Sequence, residues 1–542
     1  MTRRILVALA LGVLAVLVSP PAPASAHAVL TSSNPIQGAI LASAPAEVVL
    51  TFTESVREVP GKIQVIGPDG KQVNQGEPTF AGPVVTIPVD QGGGQGTYLV
   101  SYRVISADSH PVTGGYTYSV GAPSTPPTLD QGDATDPVVA NAVKVAKYLG
   151  YAGLVLLIGP ILVLALLWPE RLSRRGPARL VWTGVGLVTF ATVAGIWLQA
   201  PYTAGGGIFD ASPSQLRDVL ATTYGTAHLV RLGLLAAIVV LLRPLLRGPG
   251  QSGRADQILL AVLGGAALLT WPIAGHPAAS PVAAVSVVVD AVHLASMAVW
   301  LGGLVMLIGF LLRQANEREL GAVLPVWSRW AGLAVAALVL AGTVQALVEV
   351  GTPKALVDTT YGRLIIAKIG LFTAVMAVAA YSRRLVNRRL AAGAPGRLRR
   401  AVGAELAITA VVLALSAILV QTTPARTAVA NEQVDTGYYS ENLTSNLFNL
   451  QVEIDPAATG NNSIHLYAYD LAGKPLKVVE WRGTAALPAN DIAPLDIPLL
   501  PLTDNHATGE LTFSLAGSWE LRFTARISDI DQATVSTTVA IK

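Results

Sequence analysis

The sequence predicts a multi-domain membrane protein: a β-sandwich, an eight-helix transmembrane bundle, and a second β-sandwich. Three observations carry that prediction. Of 542 residues, 52% are hydrophobic and only 13% charged, which is too apolar for a soluble globule of this length. Apolar stretches of about 18 residues or more recur through the middle of the chain, each long enough to span a bilayer. The flanks instead show short alternating runs split by turn residues, the period of half-buried strands.

The N-terminus MTRRILVALALGVLAVLVSPPAPASA reads as a secretory signal peptide, residues 1–26. Arg3 and Arg4 make the basic start, and an apolar core runs from Ile5 to about Val18. Prolines and the small-x-small site Ala24-Ser25-Ala26 follow. The alternative is an uncleaved anchor, for which the apolar core is short. Cleavage after Ala26 makes His27 the first residue of the mature chain.

Residues 27–121 carry the first sandwich pattern. The runs VVLTFTESV, KIQVIGPDGKQV, VVTIPV, GTYLVSYRVIS and GYTYSVG alternate, with turns at Pro68-Asp69-Gly70 and Gly92-Gly93-Gly94. This is a small antiparallel sandwich or barrel. A Pro-, Thr- and Asp-rich linker, 122–143, leads to the membrane region, 144–421. Its spans are placed near 144–168, 180–200, 226–246, 256–275, 285–312, 328–350, 363–382 and 402–421.

The arginines test that count. With the first sandwich outside, the first, third, fifth and seventh connections face the cytoplasm. They hold Arg171, Arg174, Arg175 and Arg179; Arg243, Arg247 and Arg254; Arg313 and Arg318; and Arg383, Arg384, Arg388, Arg389, Arg397, Arg399 and Arg400. The other connections are poorer in Arg and Lys, as the positive-inside rule requires. The expected location is therefore the plasma membrane, multi-pass, with both terminal domains extracytoplasmic. Residues 422–542 return to alternating runs, punctuated by Pro456, Gly460 and Gly473, and predict the second sandwich.

There is no cysteine, which excludes thiolate metal sites and Cys nucleophiles. No phosphate loop, nucleotide fingerprint or HExxH occurs, so neither nucleotide hydrolysis nor nucleic acid binding is expected, and no enzyme activity. Four methionines leave little for a thioether-rich copper(I) site.

His27 as a mature N-terminus would offer its α-amine and its Nδ1 to one metal ion. The amine's ordinary pKa of about 8 lets a metal displace its last proton near neutrality. A second imidazole would complete three nitrogens, which suits tetragonal Cu(II). SADSHPVTGGY holds the partner candidates, Asp108 and His110. If the preceding strand continues they share a face, with Pro111, Gly114 and Gly115 turning the chain afterwards. The alternative for Asp108 and His110 is a hydrogen-bonded surface turn.

HAVLTSSNPIQGAILASAPAEVVLTFTESV and SADSHPVTGGYTYSV resemble the opening and the closing copper motif of the CopC family of periplasmic copper-binding proteins. The resemblance covers about His27 to Gly121. It implies a Greek-key β-sandwich binding Cu(II) through His27, Asp108 and His110, with Glu54 beside the metal or weakly bound to it. Some members bind Cu(I) on a Met-rich loop. No Met lies between His27 and Gly121 here, so only Cu(II) is expected. VDAVHLASMAVWLGGL and TTYGRLIIAKIGLF resemble the CopD membrane family, and GNNSIHLYAYDLAGKPL with GSWELRF resembles the YtkA-like sandwich of CopC–CopD fusions. His465 and His506 there show no metal spacing.

Within the spans, polar side chains are functional candidates because burying them in hydrocarbon is costly. His228 opens the third span and His276 closes the fourth, while Asp290, His293 and Met297 share a face of the fifth. All five fall in the outer half, forming a candidate relay. Each also has a plainer reading, one interhelical hydrogen bond for a histidine and packing for the methionine. Lys368 and Glu405 lie at different depths, Glu349 at an outer end reads as solvated, and Trp271 as an interface anchor.

The leading function is capture of extracellular Cu(II) and its passage, with or without reduction, through the bundle. Its partners would be the copper ion, the bilayer and an extracytoplasmic copper chaperone or reductase. Three alternatives stay open. One is a non-transporting copper chaperone or assembly factor. Another is a haem electron carrier, for which three membrane histidines allow at most one site. The third is a copper monooxygenase, against which the Asp108 carboxylate and the membrane fusion argue.

Overall fold

The computed structural model describes residues 28–122, 124–127, 135–248, 253–387, 395–429, 439–471, 474–490 and 492–541. The signal segment 1–26, His27, Arg388, Arg389 and Gly473 lie outside them. The chain packs as two units. One is helical and includes 107–111 and 132–428; the other holds the β-rich segments 28–106, 112–131 and 429–542.

In the β-rich unit the first sandwich has sheets ordered β1-β3-β6-β5 and β2-β8-β7-β4. The strands are β1 Leu30–Asn34, β2 Ile40–Leu41, β3 Glu47–Phe52, β4 Arg57–Ile66, β5 Thr79–Ala81, β6 Val84–Pro88, β7 Gly96–Ile105 and β8 Pro111–Val120. Alternation decides which face is inside: Val48, Leu50 and Phe52 of β3 are buried between exposed or half-buried neighbours. The chain crosses between sheets after β1, β2, β3, β4 and β6, the habit of a Greek-key sandwich. Gly114 and Gly115 lie within β8 and not in a turn. A Cβ at Gly114 would overlap the Tyr102 hydroxyl, so the glycine makes room for that ring.

The C-terminal sandwich comprises β9 Tyr439–Thr444, β10 Asn449–Asp455, β11 Gly460–Tyr469, β12 Glu480–Leu487, β13 Ile492–Ile497, β14 Leu499–Thr503, β15 His506–Phe513, β16 Gly517–Arg526 and β17 Gln532–Ile541. Its sheets run β14-β15-β11-β10-β9 and β13-β12-β16-β17. Phe448, Leu450, Val452, Ile464, Leu466, Phe513, Trp519 and Phe523 fill the core, with Phe513 and Trp519 edge to face at 5.0 Å.

Among the described residues, the helical unit has eight helices long and apolar enough to cross a membrane. They are α1 Pro137–Leu166, α2 Arg175–Ala204, α3 Thr223–Arg247, α4 Arg254–Ile273, α5 Ala283–Met306, α6 Glu317–Val350, α7 Thr360–Asn387 and α8 Pro395–Leu419. A π-helical stretch, Leu307–Leu311, extends α5. α1 starts seven residues earlier than the hydropathy suggested, because Asp136 caps it and Pro137 fits its first turn. The Asp136 carboxylate accepts from the backbone amides of Val138 and Val139.

α1 and α5 meet backbone to backbone. An added Cβ at Gly302 would fall 2.7 Å from Gly159 Cα, so both positions need glycine for this approach. Two arginines cap helix ends. Arg174 donates to Leu245 O at 2.6 Å near the end of α3. Arg231, buried, donates to Thr270 Oγ1 and Thr270 O at 2.9 Å each and lies 4.1 Å over the Trp271 ring. Trp271 is thus packed under a guanidinium.

Candidate metal centre

The site begins where β7 stops. The strand ends at Ile105, and Ala107–Ser109 form a turn, so Asp108 and His110 are not brought together by strand alternation. Ser109 has φ 71°, a left-handed conformation costly for a non-glycine residue by about 1–2 kcal/mol. Two contacts hold it. His110 N donates to Asp108 Oδ1 at 3.2 Å, and Gln199 Nε2 on α2 donates to Ser109 O at 2.7 Å. The segment 107–111 packs as part of the helical unit.

There it meets His276. This histidine does not close α4, which ends at Ile273; it starts a 3-10 turn, His276–Ala279, before α5. His276 Nδ1 lies 2.7 Å from Asp108 Oδ2, and its Nε2 lies 3.2 Å from Val420 O. His110 Nδ1 lies 3.3 Å from Asp108 Oδ1, and the two imidazoles stack at 4.7 Å and 11°. Asp108 is 2% exposed, His110 7% and His276 7%. Among the described residues these three form a cluster fit to hold a metal, each offering a ligand atom within 4.8 Å of the others.

Both nitrogens of His276 face acceptors, so both donate only when the ring is protonated. Burial works against that cation, but the charge of Asp108 and its hydrogen bond outweigh it. The pKa of His276 is raised above 6.5. The donor set, two imidazoles and a carboxylate, suits a borderline divalent ion, and Cu(II) binds most tightly of the first-row series. Such an ion would displace the proton between His276 and Asp108.

His276 also lines a cavity of about 150 Å³ within the helical unit. Asp290, His293 and Met297 line it too, so the three- and four-residue spacing does set them on one face of α5. Gln345 Nε2 of α6 donates to Asp290 Oδ1 at 2.6 Å. Lys147 of α1, Glu349 of α6, and Tyr361 and Lys368 of α7 also line it.

The sequence reading singled out neither Lys147 nor Gln345, and Glu349 is 8% exposed where it was expected to be solvated. The signal for Lys147 was present, a charge inside an apolar span. Lys368 shares the cavity with Asp290. Glu405 is elsewhere, accepting from Ser382 Oγ at 2.6 Å, so the two do not pair.

His228 is set apart from this lining. It lies in the second turn of α3, its Nδ1 2.8 Å from Tyr224 O and its ring 4.0 Å from the Tyr224 ring. Both contacts are within α3, so neither is the interhelical hydrogen bond the sequence left open; against α2 the ring packs on Gly195, where an added Cβ would fall 3.2 Å from His228 Nε2. Glu54 lies in the first sandwich, between β3 and β4. Together Asp108, His110, His276 and the cavity can hold a divalent cation and offer it a succession of nitrogen, oxygen and thioether donors.

Comparison with known proteins places Asp108, His110 and His276 in matched segments, while Asp290, His293 and Met297 fall between two of them. The CopC domain model matches residues 30–121. The model for the N-terminal domain of copper resistance protein D-like proteins matches 139–284, and that for copper resistance protein D matches 321–419. The copper transport protein CutJ of Bacillus subtilis is 25% identical over 477 residues, 86% of each chain. Copper resistance protein D of Pseudomonas syringae pv. tomato is 30% identical over 246 residues, 42% of this chain and 78% of that one. Copper resistance protein C of Xanthomonas campestris pv. juglandis is 33% identical over 110 residues, 18% of this chain and 84% of that one.

Proposed function

The chain belongs to the CopC–CopD copper-resistance family, and from that premise we propose that it captures Cu(II) outside the cell and passes it into its helical bundle for copper uptake and homeostasis. The observation that carries this reading is the position of His276. It bonds Asp108 on one side and lines the cavity of Asp290, His293 and Met297 on the other.

In this account signal cleavage exposes the α-amine of His27, which with its ring, Asp108 and His110 captures Cu(II). In the precursor that amine is an amide and cannot bind. His276 exchanges its bond to Asp108 for the metal, and the ion moves toward His293, with Asp290 balancing its charge. Met297 is a soft donor that favours Cu(I), so it follows a reduction step if one occurs. This account places both terminal sandwiches outside the cytoplasm, a placement the arginine distribution supports. His228 has no part in the path, and Glu54 acts only near the capture site.

Cellular copper tests the proposal. A strain deleted for the protein, complemented by wild type or by His276→Ala, is grown under copper limitation and its copper measured by mass spectrometry. Wild type should restore copper content and His276→Ala should not. Normal accumulation in the uncomplemented deletion strain would rule out uptake.

A further inference from the structure

The C-terminal sandwich brings together two histidines separated by 41 residues. β10, β11 and β15 are neighbours in one sheet, and their register sets Glu453 opposite His465 and Tyr467 opposite His506. These four side chains lie on the face opposite Val452, Leu466 and Ala507, which are in the core. His465 Nδ1 and His506 Nε2 are 3.0 Å apart, nitrogen to nitrogen. The remaining nitrogen of His465 is 3.1 Å from Ser463 Oγ, and the His506 ring stacks on Tyr467 at 4.2 Å. Each imidazole is thus oriented by a partner of its own. Both are half-buried, open to an ion from solution.

We propose that His465 and His506 form a second metal site, for a tetragonal nitrogen-preferring divalent ion, with Cu(II) the tightest. The separation carries the argument. A metal bound to imidazole nitrogens at about 2.0–2.1 Å, bridging nitrogens 3.0 Å apart, subtends an angle of about 94°. That is near the cis angle of a tetragonal site, as Cu(II) or Ni(II) prefers. On binding, the proton on a facing nitrogen moves by tautomerisation to the distal nitrogen of the same ring, where for His465 Ser463 Oγ accepts it, so both facing nitrogens offer lone pairs to the ion. Glu453, across the strand pair from His465, is buried and accepts from Gln451 Nε2 at 2.7 Å, so solvent supplies the other ligands. The inference stands on this sheet's register and not on the copper path proposed above.

The test is the number of Cu(II) ions held by the full-length protein in detergent, measured by equilibrium dialysis. Wild type is compared with His465→Ala/His506→Ala, and the same pair of changes is made in a His110→Ala/His276→Ala background. In both backgrounds the histidine pair should account for one ion per chain. Equal metal content with and without the pair overturns the site, whatever happens at the other centre. His506→Gln, which keeps the side chain polar, guards against misfolding. In the His110→Ala/His276→Ala protein it should weaken the second ion at least tenfold and remove its imidazole couplings from the EPR spectrum. Retention of both overturns the proposal.

Discussion

His276→Ala tests the link between capture site and cavity. The wild-type ring donates to Asp108 across 2.7 Å, the length of a charge-assisted hydrogen bond. Bonds of this kind contribute about 1.5–3 kcal/mol. Asp108 is 2% exposed, so losing the ring leaves a buried carboxylate short of one donor. If that contact orients the carboxylate for metal, its loss weakens Cu(II) binding by about ten- to a hundredfold, the range seen when a partner orienting a metal ligand is removed. The assay is competition of the full-length protein with a chelator of known Cu(II) affinity, read alongside EPR. A change of less than about twofold, with the spectrum unaltered, would refute the reasoning, since His276 would then neither bind the ion nor hold Asp108.

Cu(II) affinity should rise with pH to above 6.5, because Asp108 holds the His276 proton beyond the ordinary imidazole value and the metal must displace it. In Asp108→Asn burial acts unopposed by that charge, so the same dependence should move to lower pH, as dialysis across pH 5.5–8.5 would reveal. Met297→Leu conserves volume and should cost less than about 1.5 kcal/mol of stability. It should still lower copper accumulation; unchanged accumulation at equal expression would make Met297 packing only. Gly302→Val forces α1 and α5 apart, since its Cβ alone would sit 2.7 Å from Gly159 Cα. A loss of about 1–3 kcal/mol is expected, measured by thermal unfolding in detergent, and an unaltered melting temperature would contradict the glycine contact.

Much of this organisation was legible because it follows from local pattern. Hydropathy identified eight spans and alternation two strand-rich flanks, since both depend on near neighbours in sequence. The faces of α5 were legible for the same reason, as helical periodicity alone aligns Asp290, His293 and Met297. What escaped depends on distant pairs. His276 and Asp108 are 168 positions apart, and no spacing rule joins a 3-10 turn to a turn after β7. His465 and His506 meet only through the register of β11 on β15. The strand expected to carry Asp108 and His110 ends at Ile105, and the left-handed Ser109, held by Gln199, does what alternation was expected to do. Glu349 needed only more weight on charges near span ends, where solvation was the easier reading; Lys147 stood as a charge inside an apolar span.

The capture claim is tested most directly by Cu(II) EPR on the mature full-length protein, with its N-terminal residue determined on the same sample. The account predicts a chain beginning at His27 and a tetragonal Cu(II) signal with nitrogen couplings that weaken in His110→Ala. A mature chain beginning at any other residue, or a spectrum unaffected by His110→Ala, would contradict it.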